Sequence, residues 1–122
     1  MSNTEEVLVV GAGPVGLVAA CQLARLGVHV RVIDALPQRT TQSRAVGIQA
    51  RSLEMLASLG VLPRLELRGR RMRALEVVDG RTGGTRASID LEGISSRHPY
   101  VLDVAQPDTE AVLEDAQQNS AS

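Results

Sequence analysis

The chain has 122 residues, 43% apolar and 22% charged, with a net charge of −1, which describes one domain with a modest core and excludes disorder throughout. That balance gives no general attraction to nucleic acid or to an anionic membrane surface, so neither is expected as a partner. A single cysteine rules out an intramolecular disulfide, and one Tyr with no Phe or Trp leaves the core to aliphatic side chains.

The first residues lack a basic segment followed by an apolar stretch and a cleavage site, so a reducing, cytoplasmic location is expected. The apolar stretch at 7–20 is broken by three glycines and a proline and is shorter than the roughly 20 residues of a spanning helix.

Residues 5–10 read as a strand, β-branched and nearly continuous, of the kind buried on both faces of a parallel sheet. Pro14 then suits the first turn of a helix over 14–26, whose Leu17, Ala20, Cys21 and Ala24 share one face until Gly27 stops it. A second strand at 28–33 makes a parallel β-α-β crossover the expected connection. A polar connection with Pro37, Thr40, Thr41 and Ser43 leads to a helix over 48–59, capped by Gly60. Residues 72–78 and 85–91 read as two strands of an antiparallel hairpin, turned by Asp79-Gly80-Arg81-Thr82-Gly83-Gly84. A short strand at 100–104 precedes a helix opened by Pro107 and reaching 117, and residues 118–122 read as a frayed tail.

Gly11-Ala12-Gly13-Pro14-Val15-Gly16 matches the dinucleotide glycine fingerprint and lies between the first strand and the helix it opens. Gly11 permits the tight turn, Gly13 lets backbone approach a pyrophosphate, and Gly16 lets helix and strand pack closely. Asp34, at the end of the second strand, stands where a carboxylate accepts hydrogen bonds from the adenosine ribose, which also disfavours a 2′-phosphate. These features alone suit a NAD-binding dehydrogenase domain equally well.

The run Thr41-Gln42-Ser43-Arg44-Ala45-Val46-Gly47-Ile48-Gln49-Ala50-Arg51-Ser52-Leu53-Glu54-Met55-Leu56 resembles the stretch after the second strand in FAD-dependent aromatic-ring monooxygenases. The resemblance is to the branch that hydroxylates phenols and aromatic polyketides, and it runs through Gln117. It implies that Arg44 lies against the FAD pyrophosphate or ribityl region and that Gln106, in Val104-Ala105-Gln106-Pro107-Asp108-Thr109-Glu110, contacts the ribityl side. The implied fold is α/β: a Rossmann-like β-α-β FAD-binding unit with an antiparallel hairpin excursion, incomplete as a domain. Residues 1–67 would belong to the FAD-binding part, 68–104 to a substrate-facing sheet, and 105–117 to a helix returning to the FAD part. NADPH is the implied reductant and an aromatic small molecule the implied substrate. No catalytic or metal-binding residue is expected in the chain. Family members also use a later Asp-Gly and a later Gly-Asp segment absent here, so a non-catalytic product, or a subunit completed by a partner chain, stands as a second expectation.

Arg64, Arg68, Arg70, Arg71 and Arg73 form a basic cluster without aromatic neighbours, which reads as a solvated connecting face. Cys21 reads as a small buried residue packing on the sheet, and His29 and His98 are too isolated to hold a metal.

Overall fold

A computed structural model of the chain describes residues 6–37 and 45–120. Strand β1 (Glu6–Val10), helix α1 (Pro14–Arg25) and strand β2 (His29–Ile33) follow the expected order. β1 and β2 pair in parallel from Glu6↔His29 to Val10↔Ile33. The glycine expected to stop α1 does so, with Gly27 at φ +78° directly after the cap residue Leu26, a backbone state that side chains disfavour.

Burial of this sheet on both faces is not observed. Val7, Val9, Val30 and Val32 are half-buried, whereas Leu8 is 54% and Val10 76% exposed, so the face away from α1 is open. The buried side of α1 also packs differently from the expectation. Leu17 and Cys21 share a core with Val112 and Leu113 of the last helix, α4 (Gln106–Ser120), and the Cys21 thiol donates to the Leu113 carbonyl at 3.5 Å. Burial pushes that thiol's pKa up, which keeps it unreactive.

Residues 45–48, expected as connection and helix start, form strand β3 (Ala45–Ile48), and the helix α2 (Ala50–Ser58) begins only after it. Helix α3 (Leu62–Glu66) is a further short element. The expected strand at 72–78 is two strands, β4 (Arg70–Met72) and β5 (Ala74–Val78), because the chain changes partner at Arg73. β4 joins β3 on either side of the antiparallel central strand β7 (Val101–Ala105). β5 pairs with β6 (Thr85–Asp90) as the expected hairpin. Finally, α4 runs three residues beyond its expected end, so the helix includes much of the segment read as frayed.

The core is aliphatic: Leu53, Leu65, Leu102 and Leu113 are completely buried. The single tyrosine, Tyr100, is buried in this core, with its hydroxyl donating to Glu66 Oε1. Arg71 donates to the same oxygen at 2.8 Å and sits 4.6 Å from the ring centroid. Burial first, and then the bond to Glu66 and its charge, push the Tyr100 phenol up to about 12. The folded state thus holds the phenolic proton more tightly than the unfolded chain, where the pKa is about 10. The stabilisation is complete below the unfolded value and is lost as pH rises from about 10 towards the folded value. Because no other tyrosine or tryptophan interferes, phenolate absorbance titrates this group alone. The expected midpoint in the folded chain is near 12; a midpoint near the ordinary value of about 10 while the chain stays folded would contradict the packing.

Four arginines of the basic cluster are paired locally: Arg71 with Glu66 as above, Arg64 with Asp115 at 2.8 Å, Arg68 with Asp108 at 3.7 Å and Arg73 with Glu92 at 3.5 Å. Among the described residues no helix is long and apolar enough to cross a membrane.

Candidate functional site

The loop between β1 and α1 is shaped by two glycines. Gly11 has φ +113°, where a Cβ would be strained, and its N–H donates to the Ile33 carbonyl at 2.7 Å, tying the loop to the end of β2. At Gly16 a Cβ would lie 1.9 Å from the Gly11 carbonyl oxygen, so helix and loop touch at a distance only glycine allows.

Gly13 is the N-cap of α1 and makes no side-chain cap hydrogen bond; its carbonyl accepts from the Leu17 N–H at 2.9 Å to open the helix. Pro14 at the first position has no N–H to satisfy. The first-turn N–H groups of Val15 and Gly16 have no intrahelical acceptor by helix geometry, and they carry the positive end of the helix dipole.

Asp34 closes the other side. Its Oδ2 accepts from the Ala12 N–H and its Oδ1 from the Leu36 N–H, each at 2.8 Å. These bonds, that from Leu36 first, hold its carboxyl below the usual aspartate value. A depressed folded pKa contributes stability above the ordinary aspartate value and loses it as pH falls through the lower one, so the Ala12–Asp34 link persists at neutral pH. Each carboxylate oxygen keeps a lone pair for a further donor.

Between these walls lies an open cleft of about 660 Å³ lined by Ala12, Gly13, Asp34, Leu36, Gln106 and Glu110. A second cleft of about 620 Å³, mostly apolar, includes Pro14, Val15, Gly47, Ile48, Gln49 and Gln106. Gln106, at the start of α4, borders both clefts. Its Nε2 donates to Glu110 Oε1 at 3.1 Å, and that oxygen lies 4.0 Å from where a Cβ on Gly13 would stand. The first cleft thus brings together Ala12, Gly13, Asp34 and Gln106, and the second Pro14, Val15 and Gln106; Gly11 and Gly16 line neither and shape the loop behind them. Arg44 lies outside the described residues.

Residues 4–121 match the model of a family described as FAD binding domain. The chain belongs to that family. It is 34% identical over 108 residues to the anhydrotetracycline monooxygenase of Streptomyces rimosus, covering 88% of this chain and 20% of that protein. Against the rifampicin monooxygenase of Streptomyces venezuelae the identity is 40% over 108 residues, covering 88% and 22%. Among solved structures, p-nitrophenol 4-monooxygenase from Pseudomonas putida superposes with a TM-score of 0.84 at 27% identity, over 94% of this chain and 30% of that one. The expected kinship with FAD-dependent aromatic monooxygenases is borne out, and the chain spans about a fifth of the length of these curated relatives.

The cleft suits the cofactor of this FAD-binding domain: it offers a helix N-terminus for phosphates, a carboxylate with free lone pairs for ribose, and a glycine wall where a Cβ would intrude. Leu36 and Glu110 are among the lining residues that the sequence does not mark as part of a site. Leu36 shows no local signal, since its part is played by backbone alone. Glu110 is legible in hindsight from the Gln106-x-x-x-Glu110 spacing, which places both on one helix face.

Proposed function

We propose that the chain binds FAD as part of an NADPH-dependent flavoprotein monooxygenase that hydroxylates a phenolic or polyketide ring. The observation that carries this reading is the Ala12–Asp34 link, which sets a carboxylate beside the open N-terminus of α1. In this reading Asp34 accepts from the adenosine ribose hydroxyls, and the backbone from Gly13 to Val15 receives the pyrophosphate. Gln106 contacts the ribityl chain, and Arg44 serves the pyrophosphate or ribityl region. Gly11, Ala12 and Gly16 hold the Rossmann-like turn in shape.

When bound, FAD supplies electron transfer from NADPH and activation of dioxygen; the residues of this chain bind and orient it. The relatives' substrates, anhydrotetracycline, rifampicin and p-nitrophenol, support an aromatic substrate. We assign residues 1–67 and 105–117 to the FAD side and 68–104 to the substrate side, where Leu75 and Ile89 pair across the hairpin and remain exposed. Hydroxylation is expected to need polypeptide beyond these 122 residues, whether from the same chain or a partner. The open face carrying Leu8 and Val10 supports this, because exposed apolar patches mark contact surfaces.

Titrating the purified chain with FAD while following flavin fluorescence tests the binding claim. Saturable quenching that NAD fails to reverse is the expected result. NAD binding without FAD binding would instead favour a dehydrogenase domain.

A further inference from the structure

The start of α4 carries a side-chain pair that the dinucleotide fingerprint does not include. Glu110 is 5% exposed, unusual for a carboxylate unless it is hydrogen-bonded. It borders the same cleft as Asp34 and Gly13, and its Oε1 accepts from Gln106 Nε2 at 3.1 Å. A carboxylate only accepts, whereas a glutamine amide has a donor end and an acceptor end. The bond to Glu110 therefore dictates which way the Gln106 amide faces: the NH2 end is turned to Glu110, and the carbonyl oxygen is left to meet other donors.

We propose that Glu110 is a positioning residue for FAD binding, orienting Gln106 so that its carbonyl accepts from a hydroxyl of the cofactor's polyol chain. This rests on the FAD reading above and adds the device that sets the polarity of one contact. The i, i+4 spacing on α4 makes the pair a rigid unit, because both side chains leave one helix face. Their position next to Gly13, in the same cleft, puts that unit beside the turn that would receive the pyrophosphate. Glu110 thus acts through Gln106 rather than by touching the cofactor's reacting part.

The two halves of the cofactor separate this role from a structural one. ADP carries the adenosine and pyrophosphate but no polyol, so it reaches Asp34 and the α1 N-terminus without reaching Gln106. Glu110→Ala is expected to weaken FAD binding about tenfold, a typical effect for one lost hydrogen bond, while ADP affinity changes less than about twofold. In a Gln106→Ala background Glu110→Ala should add almost nothing, because its effect runs through the missing amide. Glu110→Gln, which keeps the packing and removes the dictated orientation, should fall between wild type and Glu110→Ala. Equal loss of FAD and ADP affinity, additive losses in the double variant, or FAD binding unchanged by Glu110→Ala would each overturn the proposal. Wild-type binding of ADP without FAD would instead remove the flavin reading beneath it.

Discussion

Gly16→Ala is expected to destabilise the chain severely and to abolish cofactor binding. The added Cβ would stand 1.9 Å from the Gly11 carbonyl oxygen and 3.1 Å from its carbonyl carbon. Both are backbone atoms, and the loop cannot yield easily: Gly11 sits at φ +113° and is tied to Ile33 by a 2.7 Å hydrogen bond. Relief requires moving α1 away from β1, which also breaks the contact of Leu17 and Cys21 with Val112 and Leu113 in the core. Overpacking against backbone of this kind costs about 3 kcal/mol or more, and for a domain of this size that lowers the melting temperature by roughly 10 °C. Gly80→Ala is the matching control, since a Cβ there meets nothing within 4 Å and should leave the melt unchanged. Thermal unfolding followed by circular dichroism measures both; a Gly16→Ala melt equal to wild type would show that helix and loop are not in contact as described.

Asp34→Ala should leave the melt nearly intact and cost FAD affinity instead. Its carboxylate is exposed and held by the Ala12 and Leu36 N–H groups at 2.8 Å, groups that water can satisfy when the side chain is removed. What water cannot replace is the acceptor for two vicinal ribose hydroxyls. Two charge-assisted hydrogen bonds together correspond to roughly a hundredfold in affinity. Asp34→Asn, with one acceptor oxygen retained, should lose about tenfold. Calorimetry with FAD and each variant reads these changes directly, and an Asp34→Ala affinity within about twofold of wild type would remove the ribose role.

The β-α-β unit was legible because its signals are local. Pro14 opens α1, Gly27 ends it, and Gly16 is required by Gly11, only five residues before it. Asp34 was legible for the same cause, lying one residue past β2. The misread elements depend on partners distant in sequence. Ala45–Ile48 has too little pattern to show a strand, and it becomes one because β7 lies beside it, with Gly47 opposite Asp103. Only tertiary contact requires that glycine, since a Cβ there would stand 2.8 Å from Val101 Cγ1. Likewise the run 72–78 looks continuous, yet the Arg73 carbonyl accepts from the Leu91 N–H at 2.8 Å as the chain passes from one sheet to another. The spacing of Gln106 and Glu110 shows that they share a helix face, but not that Glu110 is only 5% exposed, because that burial comes with the distant loop at Gly13.

FAD binding as proposed places the cofactor between Asp34 and the N-terminus of α1. Amide chemical-shift mapping of the isotope-labelled chain during titration with FAD tests it most directly. Saturable shifts are expected at Ala12, Gly13, Val15 and Leu36, with smaller ones at Gln106 and none along the β5–β6 hairpin. Shifts confined to the hairpin, or a folded chain whose amides ignore FAD, would contradict it.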